Sequence, residues 1–195
     1  LNNRIESIIR RGKYILFFLS GNFVLLFHMG MSGSFSISDL CSQRKKHDHI
    51  LFTLENLKRK KKVLAFNDPR KFGCFIIVRK EKISCHRLLD HLGLEPLDDQ
   101  FNGEALFNIL KDTHSLVKST LMNQNKIVGI GNIYACEALF DAGISPQRDA
   151  ANINIREAKK LTASIKKILT KAIKSGGSSL VNYKNVDGKM GYFQN

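Results

Sequence analysis

The first ninety residues contain short apolar runs that are separated by polar breaks. Residues 14–19 and 23–28 are apolar almost throughout, and a short polar loop with Gly21 lies between them. Two β-prone runs joined by such a loop are typical of a hairpin. Further strands are predicted at residues 49–54, 63–66 and 73–78. Because the apolar positions are continuous rather than alternating, we expect burial on both faces, as in a β-sandwich.

Beyond residue 90 the apolar positions recur with helical spacing. Four helices are predicted, at residues 102–110, 116–122, 132–142 and 155–173. Asn102 is suited to cap the first helix, because its side chain can accept hydrogen bonds from first-turn N–H groups. Gly143 and Gly176 follow the third and fourth helices, at positions where glycine commonly ends a helix.

The change of pattern predicts two domains. Glycine, proline and acidic residues at 91–99 are typical of a linker. We therefore predict an α+β fold, with a partial β-sandwich in residues 1–90 and an all-α domain in residues 100–195.

The chain is strongly basic. It has 195 residues, with 31 Lys+Arg against 17 Asp+Glu and a formal net charge of +14. The cations form clusters at residues 10–13, 44–46, 58–62 and 70–71. Such an excess attracts a polyanion, most often nucleic acid. For the run at 58–62 we favour a solvated hairpin turn, and a ribosome-associated basic protein would carry a similar charge.

The cysteines and the apolar runs exclude several classes of protein. The four cysteines are scattered and form no Cys-x-x-Cys pair; they are Cys41, Cys74, Cys85 and Cys136. This argues against a zinc ribbon in these residues and a disulfide framework, and it favours a reduced, cytoplasmic compartment. The longest apolar run, residues 14–19, is far shorter than the roughly 20 residues that a membrane span needs. No secretory signal is visible at the start.

The glycine-rich turn before the third predicted helix is a candidate for chemistry. Gly129, Gly131 and Asn132 lie where unpaired backbone N–H groups at a helix start can bind a phosphate. An interhelical turn capped by Asn132 explains the same pattern. Lys118 could neutralise that phosphate, although a lysine taken alone on a helix is more often simply solvated.

Three side chains in the β-rich part form a second candidate. Met31 follows an apolar strand and lies between Gly30 and Gly33. It could act as a wedge between stacked bases or pack in the core, as methionine usually does. Arg70 and Phe72 are two positions apart and point to the same side of an extended chain. There the arginine can contact a phosphate or a base edge, and the phenylalanine can stack.

The order of these motifs resembles the formamidopyrimidine-DNA glycosylases, bacterial repair enzymes that excise oxidised purines and nick the resulting abasic site. The matching stretches are colinear and cover residues 10–14, 28–35, 46–49, 68–73, 92–97, 127–137, 142–146 and 187–193. The resemblance implies a β-sandwich domain and a helix-two-turn-helix domain that flank a DNA-binding cleft. It also implies a monomer that binds damaged double-stranded DNA and no membrane.

The resemblance assigns roles to individual residues. It implies that Lys13 is the proton donor of the β-elimination step, and two neighbouring arginines would lower the pKa of such a lysine. It implies that Met31, Arg70 and Phe72 enter the duplex when the damaged base is flipped out.

Other matches imply contacts with the DNA. His47 and Arg70 match DNA-contacting positions, and Lys118 and Asn132 match phosphate-binding residues. Residues 176–193 resemble the loop that closes over the extruded lesion.

The sequence also departs from the family. The N-terminal proline nucleophile, the glutamate that follows it and the C-terminal four-cysteine zinc finger have no match. We therefore expect the central part of such an enzyme, with no cofactor of its own and no catalysis. The complete enzyme would be a base-excision repair glycosylase with AP lyase (β/δ-elimination) activity on 8-oxoguanine and formamidopyrimidines, in the bacterial cytoplasm with the nucleoid.

Two alternatives remain open. The first is a non-catalytic DNA-binding remnant of the same enzyme. The second is a pyrimidine glycosylase similar to endonuclease VIII, although Met31, Arg70 and Phe72 fit the purine-directed branch better.

The missing nucleophile can be tested directly. We expect that the 195-residue chain forms no Schiff base with an abasic sugar, because the amine that attacks the sugar has no counterpart in it. Borohydride trapping on abasic duplex DNA, resolved by denaturing electrophoresis, measures this outcome. A complete enzyme of the family is the positive control, and a covalent adduct with this chain would contradict the expectation.

Overall fold

A computed structural model describes residues 3–177, which form strands first and helices afterwards. The strands are β1 (Ile5–Arg11), β2 (Tyr14–Leu19), β3 (Phe23–His28), β4 (Ser34–Asp39), β5 (Asp48–Glu55), β6 (Lys61–Asn67) and β7 (Cys74–Arg79). They form a four-stranded sheet in the order β1-β2-β3-β7 and a three-stranded sheet in the order β4-β6-β5. The pairs β1–β2, β4–β6 and β5–β6 are antiparallel.

The five predicted strands are confirmed, and two further strands were missed. Both β2 and β3 have the predicted bounds, and β3 is buried at its four central positions. The missed β1 exposes five of its seven residues, so its sequence lacks a continuous apolar run. The missed β4 alternates serine with apolar residues, which is the pattern of a strand with one buried face.

A cluster of phenylalanine rings forms the core between the two sheets. Phe27 on β3 is fully buried and contacts the rings of four other phenylalanines. Its centroid distances are 4.9 Å to Phe35, 6.0 Å to Phe52, 5.8 Å to Phe66 and 4.7 Å to Phe75. Because Phe35, Phe52 and Phe66 lie on the other sheet, their contacts with Phe27 hold the two sheets face to face. The predicted β-sandwich is confirmed.

The helices follow the sequence prediction closely. They are α1 (Gly103–Leu110), α2 (Val117–Met122), α3 (Asn132–Ala142) and α4 (Ile155–Lys174). The Asn102 side chain accepts hydrogen bonds from the backbone N–H groups of Glu104 and Ala105, as expected of a cap. Gly143 has a φ of +69° and ends α3 in the left-handed conformation that glycine adopts readily.

One predicted cap is wrong. The residue that caps α3 is Gly131, whose backbone is extended, and Asn132 is already the first helical residue. The side chain of Asn132 is therefore not the N-cap that one interpretation of the turn required.

Apolar residues at helical spacing form the buried face of α4. They are Ala158, Leu161, Ile165, Ile168 and Ala172. No helix among residues 3–177 is long and apolar enough to cross a membrane.

The described residues fall into two compact units. Residues 3–24 with 78–171 form one, here called the helical unit, and residues 25–77 with 172–177 form the other, here called the sheet unit. The boundaries predicted from the sequence, at residues 90 and 100, stay a prediction.

The phenylalanine cluster predicts a large effect of one substitution. We expect Phe27→Ala to lower the free energy of unfolding by about 3–5 kcal/mol, because it removes a buried ring and leaves a cavity. The matched control is Phe140→Ala at an exposed position, with an expected change within about 0.5 kcal/mol. Urea unfolding followed by circular dichroism measures both, and equal effects would contradict the assignment of Phe27 to the core.

Candidate nucleic-acid interface

Lys13 follows Gly12 in the turn that connects β1 and β2. Gly12 has a φ of +56°, and a Cβ on it would overlap the side chain of Val128. Glycine therefore lets the hairpin turn pack directly against the segment that precedes α3. The Lys13 Nζ lies 3.8 Å from the position that a Cβ would take on Gly131. The amine is thus placed at the N-terminus of α3.

A buried carboxylate holds this hairpin turn. The Glu95 side chain is only 11% exposed, and its Oε1 accepts hydrogen bonds from the Gly12 N–H at 2.6 Å and from Arg11 Nη1 at 3.1 Å. Its Oε2 lies 2.8 Å from Arg10 Nη2. Arg11 also donates to two backbone carbonyls, those of Leu92 and Gly93. Glu95 therefore ties both arginines and the turn to the chain segment before α1.

The environment of Lys13 changes its acidity. The pKa of Lys13 lies below its ordinary value because the surrounding protein partly desolvates its amine. The sequence suggested instead that neighbouring arginines cause this shift, but Arg10 and Arg11 are both paired with Glu95. Burial is the cause, and a lysine with a lowered pKa gives up its proton more easily.

The side chain of Gln124 fixes the turn before α3. The Gln124 side chain accepts a hydrogen bond from the Gly129 N–H at 2.8 Å and donates one to the Ile130 carbonyl at 3.0 Å. Ile130 is buried, whereas Asn132 is exposed at the first position of α3. No side chain caps this helix at Gly131. A helix start with this geometry can bind an anion such as a phosphate.

The helical unit brings two of the predicted residues together and carries a third on a neighbouring helix. Lys13 and Asn132 both lie at the N-terminal end of α3, because the Lys13 amine is near Gly131 and Asn132 follows Gly131 in the chain. Lys118 lies on α2, which packs against α3, and it is half-buried.

The other predicted residues lie in the sheet unit, on two adjoining turns. Met31 is 72% exposed and Phe72 is 58% exposed, so the alternative that Met31 packs in the core is wrong. The Arg70 guanidinium lies 4.7 Å from the centroid of the Phe72 ring, within range of a cation–π contact. A Cβ on Gly30 would come within 2.6 Å of the Phe72 carbonyl carbon, so the two turns touch through their backbones.

His47 lies next to the second of these turns. Its backbone carbonyl accepts a hydrogen bond from the Asp68 N–H at 3.0 Å. The predicted loop at 176–193 lies outside the described residues from residue 178 onwards.

Sequence reasoning missed Glu95 and Gln124. Glu95 stands in the stretch that was interpreted as a linker, and its partner Arg11 is 84 positions away. No local pattern reports such a pair. Gln124 is closer to the turn that it holds, but a single glutamine carries no signal of its own.

The zinc that the resemblance implies finds no ligand set among the described residues. Between residues 3 and 177 no group of three His, Cys, Asp or Glu side chains is arranged to hold a metal ion. The four cysteines are free thiols.

Two family models match the chain. The model of the formamidopyrimidine-DNA glycosylase N-terminal domain matches residues 1–75, and the model of the formamidopyrimidine-DNA glycosylase H2TH domain matches residues 92–184. The chain is 44% identical over 191 residues to the formamidopyrimidine-DNA glycosylase of Wolbachia pipientis wMel, which covers 98% of this chain and 68% of that relative.

Solved structures give the same result. The Lactococcus lactis Fpg in complex with DNA that contains an abasic site has a TM-score of 0.87 and 33% identity. A mutant of that protein in complex with Fapy-dG containing DNA has a TM-score of 0.87 and 32% identity. Each alignment covers 99% of this chain and 69% of the other.

The burial of Glu95 predicts a specific loss of stability. We expect Glu95→Gln to lower the free energy of unfolding by about 1–3 kcal/mol, because the two arginines lose their charged partner. The matched control is Glu104→Gln, which breaks an exposed pair with Lys159 and should cost less than about 0.5 kcal/mol. Urea unfolding measures both variants, and an equal loss in the two would show that Glu95 is an ordinary surface acid.

Proposed function

The chain belongs to the formamidopyrimidine-DNA glycosylase family, the DNA glycosylases of base excision repair, and from this premise we propose its substrate and the roles of its residues. The proposed substrate is an oxidised purine in duplex DNA, followed by the abasic site that its excision leaves. The Fapy-dG and abasic-site DNA bound by the Lactococcus lactis relatives support this choice.

One observation carries the proposal. Met31, Arg70 and Phe72 stand exposed on two turns that touch each other, although a folded protein normally buries methionine and phenylalanine. Their chemistry suits the gap left by an extruded nucleotide. The methionine fills the gap, the guanidinium binds the unpaired base opposite, and the ring stacks on a neighbouring base.

Lys13 is the proposed proton donor for abasic-site cleavage. Its pKa is lowered by burial, and its amine lies at the N-terminus of α3. In β-elimination a proton is removed from C2′, and the C3′–O bond then breaks as the 3′ phosphate leaves with the electron pair. A nearby acid stabilises the departing phosphate by donating a second proton to it. A lysine with a lowered pKa donates this second proton at a smaller cost than an ordinary lysine.

The remaining predicted residues are proposed to hold the DNA backbone. Asn132 and the first turn of α3 would bind one phosphate, with Lys118 on the adjacent helix as a counter-charge. His47 would contact the DNA from the sheet unit, beside the turn that carries Arg70.

The activity of residues 1–195 taken alone is a separate proposal. We expect these residues to bind damaged DNA as a monomer and not to excise the base, because the roles of the site residues are proton transfer and phosphate binding rather than nucleophilic attack. The proposed location is the bacterial cytoplasm with the nucleoid, where the substrate is found.

Salt dependence tests the phosphate contacts. We expect the affinity for a duplex with an abasic-site analogue to fall steeply with salt, and Lys118→Ala to lower the slope of log K against log salt by about one. The matched control is Lys111→Ala, at an exposed position next to α1, which should leave the slope unchanged. Fluorescence anisotropy titrations at several salt concentrations measure it. A flat salt response, or the same change in both variants, would overturn the proposed role of Lys118.

A further inference from the structure

Asp68 is a charged side chain with almost no exposed surface. It is 1% exposed, and buried carboxylates persist only where they are well hydrogen-bonded. Its Oδ1 accepts a hydrogen bond from the Ser32 hydroxyl at 2.5 Å, and its Oδ2 accepts one from the Gly73 N–H at 2.7 Å. Burial alone would raise the pKa of Asp68, but hydrogen bonding to the carboxylate, first from Ser32 and then from the Gly73 N–H, outweighs this effect and lowers the pKa.

Ser32 connects the two exposed turns. It follows Met31 directly, and its hydroxyl donates to Asp68 while accepting a hydrogen bond from the Arg70 N–H at 3.2 Å. A carboxylate that only ordered its own turn would need the Gly73 bond alone. The second bond reaches back 36 positions and joins the turn of Met31 to the turn of Arg70 and Phe72.

The second turn needs such a support. Lys71 has a φ of +57°, a left-handed conformation that is strained for a residue with a side chain. Strained residues of this kind persist where the surrounding structure fixes them. Two bonds to Asp68 supply that constraint: the Lys71 N–H donates to the Asp68 carbonyl at 3.3 Å, and the Gly73 N–H donates to the Asp68 carboxylate.

The backbone of Asp68 contacts a third segment. Its N–H donates to the His47 carbonyl at 3.0 Å, and its carbonyl accepts a hydrogen bond from His49 Nε2 at 2.8 Å. The carbonyl can only accept, so Nε2 carries the proton. One residue therefore touches the segment of His47, the turn of Met31 and the turn of Arg70.

We infer that Asp68 is a positioning residue for base extrusion. Through Ser32 and Gly73 its buried carboxylate fixes the two turns to each other, so that Met31, Arg70 and Phe72 enter the DNA as one rigid group. This inference rests on the proposed function of those three side chains. It adds a requirement that they be held together by a residue that never touches the DNA.

The insertion can be observed without catalysis. The probe is a duplex in which a tetrahydrofuran abasic analogue lies opposite 2-aminopurine. Insertion of Phe72 beside the 2-aminopurine separates it from the base that quenches it, so its emission rises. The amplitude is read at saturating protein, where it reports how the three side chains sit and not how tightly the DNA binds.

Two variants break the link, and one serves as the matched control. Ser32→Ala removes the bridge between the turns, and Asp68→Ala removes both bonds of the carboxylate. The control is Asp48→Ala, because Asp48 is also buried and binds the Lys45 N–H and the Asn67 side chain, but touches neither turn. We expect Ser32→Ala and Asp68→Ala to lose at least about half of the emission increase, because the complex with the three side chains inserted is then no longer the major population. Asp48→Ala should keep it.

The outcomes distinguish a failure of this inference from a failure of the proposed function. Wild-type amplitude in folded Ser32→Ala overturns the inference, and so does an equal loss in the Asp48→Ala control. If Asp68→Ala does not fold, Ser32→Ala decides the question alone, since it leaves the carboxylate and its backbone bonds in place. If the wild-type chain itself shows no emission increase, the proposed function of the three side chains fails first.

Discussion

Backbone N–H groups in tight turns need an acceptor, and in this chain buried carboxylates supply it at the turns that carry the candidate site. Glu95 accepts the N–H of Gly12, Asp68 accepts that of Gly73, and Asp48 accepts that of Lys45. An acceptor that is ionised makes a shorter and stronger bond than a neutral one. Although the chain has a net charge of +14 and only 17 acidic residues, three of these residues accept hydrogen bonds that fix turns.

This arrangement reconciles two demands on the site. The side chains that are proposed to enter DNA are exposed to solvent, so they cannot be ordered by burial in a core. The turns beneath them must therefore be ordered by hydrogen bonds to the backbone, as Asp68 does below Arg70 and Phe72. Asp48 and Asp68 bind backbone N–H groups and neutral side chains, and among the described residues neither forms an ion pair, whereas Glu95 pairs with Arg10 and Arg11.

The sequence was sufficient for elements whose signal is local. The apolar runs of β2 and β3, the Asn102 cap and the Gly143 end of α3 each lie within a few residues of the structure that they specify. The exposed β1 was missed because an edge strand needs no apolar run. The pair of Glu95 with Arg11 was missed because the two residues are brought together only by the fold. The lowered pKa of Lys13 was assigned to the neighbouring arginines for the same reason, since burial of a single side chain cannot be seen in a local sequence pattern.

The contact of Gly12 with Val128 has a consequence for how this chain can diverge. A Cβ at position 12 would occupy the space of the Val128 methyl group, so any larger residue there must push the hairpin away from α3 or be accompanied by a smaller residue at 128. The two positions are 116 residues apart in the sequence (128 − 12), yet the size of the side chain at one limits the size of the side chain at the other. Alignments of close relatives should therefore show paired replacements at these two sites, and a lineage that keeps the valine is committed to the glycine.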